Sequence, residues 1–147
     1  MLLCQKSLIN HLNLAFSAPE VRTVKAYAGE LARAAENSVQ LTELLPAVLV
    51  MFIDGRPAAE KNGERYHQFD LLIITQNDTS TMLESHQDNL QLVSEVSDFL
   101  SDKSVFASNT GLGTYRIRRN DTIARTILND ARFCVIAWSL FVEDYRK

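Results

Sequence analysis

The chain has 147 residues, 46% of them apolar and 22% charged, with a formal net charge of −3 at neutral pH. That length predicts a single domain over residues 1–147, with a core large enough to stand without disulfides or metals. The mild negative charge excludes a general electrostatic pull toward nucleic acid or an acidic membrane surface.

From the start, Leu2, Leu3, Leu8, Ile9, Leu12, Ala15 and Phe16 recur at helical spacing, with Gln5, Lys6, Asn10 and Asn13 mostly opposite. This predicts an amphipathic helix over 2–16, ended before Pro19. The same polar interruptions argue against a signal peptide, and no apolar run reaches bilayer length. The chain is therefore expected to be soluble and not exported. Cys4 and Cys134 sit among apolar neighbours and read as free thiols in a reducing cytosol.

Residues 21–27 alternate and predict a short edge strand closed by Gly29. Residues 30–44 predict a short helix or helical turn. Ala47 to Ile53 is an unbroken apolar run between Pro46 and Asp54-Gly55, the signature of a strand buried on both faces. Phe69 to Thr75 is its partner in a β-hairpin with a long polar arm, 55–65. Thr81 to Leu100 predicts the longest helix, about 30 Å if all of it is helical. Residues 102–114 read as a loop, 115–126 as a strand and 131–142 as a last strand apolar on both alternating sets. The tail from Glu143 to Lys147 reads as charged and solvated. The expected fold class is α+β: a mixed, mostly antiparallel sheet of about five strands with two long helices packed on one face.

Chemistry is sparse. His11, His67 and His86 share no motif, and each reads as an exposed polar residue. Metal-ligand spacing such as Cys-x-x-Cys is missing from the sequence. Gly111-Leu112-Gly113 follows a helix and opens a strand, which fits a turn better than a phosphate cradle. Arg116, Arg118, Arg119 and Arg125 form one basic cluster. It reads either as a solvated strand face that protects an edge or as a contact with protein or nucleic acid. The surplus of apolar strand surface, Phe52, Ile136, Trp138 and Leu140 above all, needs a cover. That cover is either a second subunit or the chain's own 30–44 helix and 101–113 loop. No catalytic, cofactor or metal residue is expected.

Taken end to end, the order of elements resembles the Mu-like phage and prophage small tail proteins, similar in fold to phage tail terminators. The matching residues are the first helix, Tyr27-Ala28-Gly29-Glu30, Leu45 to Val50, Phe69 to Ile74, the long helix, Gly111 to Gly113 before an arginine-bearing strand, and the strand from Phe133 to Val142. The polar stretch from Glu36 to Leu44, ahead of Pro46, is longer than that pattern. The resemblance implies a structural protein, not an enzyme. Such a protein caps the tail tube and joins it to the head connector as a homo-oligomeric ring, plausibly of six subunits. It assembles in the bacterial host cytoplasm and ends in the virion tail. The implied partners are tail-tube and head-connector proteins, with DNA in the lumen and no membrane. The contact residues on this reading are Arg56, Lys61, Arg65, Arg116, Arg118, Arg119 and Trp138. Two other classes compete. One is a small cytosolic bacterial adaptor or binding protein; the other is a small enzyme in which His67 or His86 meets an acid in a pocket.

Overall fold

The two apolar runs expected to form a hairpin pair antiparallel within the sheet of the computed structural model. The structure describes residues 2–17, 20–34, 36, 38–53, 66–76, 82–101, 104–108, 114–118, 124–129 and 132–145. Their elements run α1 (Leu2–Ala15), β1 (Thr23–Ala26), α2 (Glu30–Ala34), α3 (Ser38–Thr42), β2 (Ala47–Phe52), β3 (Tyr66–Gln76), α4 (Met82–Phe99), β4 (Val105–Ala107), β5 (Thr114–Arg118), β6 (Arg125–Asn129) and β7 (Phe133–Tyr145). β2 and β3 pair antiparallel from Ala47 opposite Ile74 to Phe52 opposite Phe69. β1 adds in parallel to the outside of β2, and β7 runs antiparallel along the whole of β3. The order is β1-β2-β3-β7-β5-β4, with β6 also on β7.

β5 and β6 share one edge of β7 and read as a single interrupted strand. Arg118 lies opposite Phe141, and Arg125 lies opposite Ala137. The chain therefore spends seven residues where β7 spends four, so the register along β7 is not continuous from β5 to β6. A further register shift falls between Thr126 and Leu128. Interruptions of this kind bend a strand and raise its twist. The sheet accordingly curls into a half-barrel.

The inner face of that curl holds the main core. Cys4, Leu8 and Leu12 of α1 and Val93, Val96 and Leu100 of the α4 region pack with Val48, Leu71, Ile73, Ile136, Trp138 and Leu140. α1 touches β1, β2 and β4, so it lies across the gap between the two ends of the sheet. The outer face carries a second, smaller core: Ala47, Leu49, Leu72, Ile74, Val135 and Ala137 beneath Ala34, Leu41 and Leu45. Gly29 makes the turn from β1 into α2 at φ +84°, a left-handed conformation that costs glycine little.

These findings correct the expected fold class. Among the described residues the sheet has seven strands, not about five, and strand dominates the four helices, of which α2 and α3 have five residues each. β4 lies inside the segment read as a loop. β7 continues to Tyr145, through the tail read as solvated, and Glu143 is 1% exposed. The apolar surplus is also resolved within one chain. Ile136, Trp138 and Leu140 are sealed in the inner core, and Phe52 packs partly buried against it. A strand apolar on both sets needs two covers; α1 with α4 supplies one, and α2 with α3 the other.

Candidate functional site

Of the residues expected to make contacts, Arg56, Lys61, Arg65 and Arg119 lie outside the described residues, as does the 111–113 turn. Arg118 is on β5, with its backbone in register with Phe141. Trp138 is 2% exposed and belongs to the inner core. Arg116 stands cross-strand from Glu143, and its Nε donates to the Glu143 carboxylate. With Arg116 a quarter exposed and Glu143 sealed, this guanidinium is engaged in a cross-strand ion pair.

A related arrangement lies one strand over. Asp70 faces Ser139 across the β3–β7 ladder and accepts a hydrogen bond from its hydroxyl. Arg125 Nη2 stands 3.5 Å from the other carboxylate oxygen. Asp70 and Glu143 follow the strand alternation that places Leu72, Val135 and Ala137 on the outer face. The outer face is thus greasy under α2 and α3 and ionic toward the other end. Both carboxylates are nearly without solvent, and each faces a cation. Such pairs join neighbouring strands across the outer face of the sheet.

Beside this ionic stripe runs β6. Among the described strands it pairs with β7 alone, and residues 125–128 are all exposed. Ile127 is 48% and Leu128 37% exposed. An open strand edge carrying large apolar side chains is a template for another chain.

No protein-family model and no curated protein matches this sequence. A solved structure whose name describes no activity is similar in fold: TM-score 0.53 and 14% identity, over 99% of this chain and 93% of that one. At that identity the likeness concerns the path of the backbone.

His67 is half-buried on β3, and His86 lies on α4. His11, expected to be an exposed polar residue, is instead stacked between Phe99 and Phe106, with ring centroids 4.6 and 4.9 Å away. It ties α1 to α4 and β4. Burial disfavours its charged form and lowers its pKa from 6.5. The unfolded chain therefore binds this proton more readily than the folded one. Stability contributed by neutral His11 is present above pH 6.5 and is lost as the pH falls from there toward the folded-state value. Urea midpoints at pH 7.5 and 5.5 are expected to drop for the wild type and to drop less for His11→Phe. Equal drops would show that the stack does not sense protonation.

Burial likewise pushes the Cys134 thiol up, away from the reactive thiolate. Among the described residues no three His, Cys, Asp or Glu side chains could share a metal ion. No described helix is long and apolar enough to cross a membrane.

Proposed function

We propose that this chain is a structural protein of a phage or prophage tail, which caps the tail tube and joins it to the head connector as a closed ring. The order of elements supports the tail assignment through its resemblance to the Mu-like small tail proteins. The observation that carries the assembly is the β6 edge, which among the described residues pairs with β7 alone and bears Ile127 and Leu128. A ring requires head-to-tail contacts, in which one patch meets a different patch on the next subunit and rotation closes the circle. β6 supplies one such patch. In this reading the partners are copies of the chain itself, the tail-tube protein and the head-connector protein, with DNA passing through the lumen.

Light scattering after size exclusion, with negative-stain imaging, tests it. Wild-type protein, alone or with its tail-tube protein, is expected to give rings. Ile127→Lys with Leu128→Lys is expected to give monomers with an unchanged melting temperature. A two-fold dimer in which β6 pairs with β6 would overturn the reading, as would wild-type monomers that persist with the tube protein present.

A further inference from the structure

On the outer face, away from β6, the ends of β1, α2 and α3 enclose a cleft of about 200 Å³. It is lined by Lys25, Glu30, Arg33, Gln40, Leu41 and Leu44. The Glu30 side chain is 4% exposed, while those of Lys25 and Arg33 are 42% and 57% exposed. One Glu30 oxygen accepts the Ala28 N–H at 2.7 Å. The other faces Lys25 Nζ at 3.0 Å and Arg33 Nη2 at 3.7 Å, without an aligned hydrogen bond. Burial works against the ionised form of this carboxyl. The Ala28 amide, Lys25 and the residue's own amide outweigh it and hold the pKa below 4.5.

Two cations gathered on one sunken carboxylate leave a net positive charge at the mouth of the cleft. Lys25 carries three N–H donors and Arg33 five, and Glu30 occupies few of them. Gln40, with its amide in water, adds two more donors; Leu41 and Leu44 give an apolar wall. The unfilled hydrogen-bonding capacity is thus mostly donor, and a ligand must bring acceptors. The cleft is smaller than the roughly 300–1,000 Å³ of drug-sized sites. Glu30 confines two flexible side chains to one point, which lowers the ordering cost of gripping an anion there.

We propose that this cleft binds a small organic oxyanion, a carboxylate or phosphate group on a short apolar body. Lys25 and Arg33 grip the anion, Glu30 positions them, and Leu41 and Leu44 take the body. The inference stands independently of the tail assignment, because it uses none of the β6 edge.

Amide-resolved NMR titrations at constant ionic strength test it, with butyrate, propyl phosphate and sodium chloride as probes. Saturable shifts in residues 28–33 and 40–44 are expected with butyrate or propyl phosphate, and the tighter of the two identifies the head group. Arg33→Gln and Lys25→Gln are each expected to weaken that binding tenfold or more. Glu30→Gln, which frees Lys25 and Arg33 from their common anchor, is expected to weaken it severalfold, less than either cation variant. Should Glu30→Gln fail to fold, the two cation variants decide the matter. Shifts that chloride reproduces, or that survive both cation variants, would reduce the triad to a structural ion pair and overturn the proposal.

Discussion

Asn89→Asp is expected to destabilise the protein by about 3–5 kcal/mol, because it turns a buried donor into a charged acceptor facing two carbonyl oxygens, with only the Thr75 hydroxyl able to donate in return. Asn89 is fully buried on α4. Its Nδ2 donates to Thr75 Oγ1 at 2.9 Å, to the Cys134 carbonyl at 3.0 Å and to the Ile73 carbonyl at 3.2 Å. One amide thus fastens the helix to both β3 and β7, the two longest strands of the sheet. Its Oδ1 is buried and among the described residues has no partner, so the three oxygens around the nitrogen fix which way the amide points. Aspartate has nearly the same shape, so no cavity opens and the loss is electrostatic. For a domain of this size the melting temperature should fall by roughly 10 °C or more. Asn89→Leu, which removes the donor without adding charge, should cost less, about 2 kcal/mol. Equal losses in the two variants would show that helix packing, not the hydrogen bonds, sets the value. The deficit of Asn89→Asp relative to wild type should shrink on acidification, since a protonated carboxyl recovers one O–H donor.

Asn89 also shows what the sequence made visible. It stands three and four residues before Leu92 and Val93 and seven before Val96, on the apolar stripe of its helix. A polar residue on a dry stripe is a signal for a buried hydrogen-bonding role, and that signal was available without coordinates. The long elements were legible because their periods are long. Residues 2–15 and 82–99 keep a helical repeat, and the unbroken apolar runs in β2 and β7 announce strands covered twice. Strand count was not legible. β4 has three residues and β6 five, too few to establish alternation, and the shift of register between β5 and β6 breaks one pattern into two.

The second cover was hidden for the same reason. α2 and α3 have five residues each, less than two helical turns, so neither displays an amphipathic period. Without them, one of the two apolar sets of β7 has no cover within the chain, and the surplus at Phe52, Ile136, Trp138 and Leu140 reads as surface for another subunit. Glu30 and Glu143 were illegible for a different reason. Nothing local marks a carboxylate as buried when its cation comes from β1 or from another strand. Glu143 reads as the start of a solvated tail until β7 is seen to continue and set it opposite Arg116.

Trp138 separates these two views of the strand surplus, and Trp138→Ala is expected to cost about 3–5 kcal/mol of folding stability. The indole is 2% exposed on the inner face of β7, opposite Leu71 in register and within the core that α1 and α4 close. Truncation removes most of a large side chain from a site bounded by strand backbone, which can collapse only slightly. The transfer and cavity terms therefore add. Urea unfolding should show a lower midpoint with an unchanged slope, because the surface exposed on unfolding is almost the same. Trp138→Phe keeps an aromatic ring in the slot and should lose less. A residue that met only a partner subunit would behave oppositely. Its truncation would leave the midpoint of the isolated chain in place and change the mass of the assembly. Paired with the lysine substitutions at 127 and 128, the measurement locates the assembly surface by exclusion. If β6 is that surface, Trp138→Ala at temperatures where it is folded still forms rings, and the β6 variant does not.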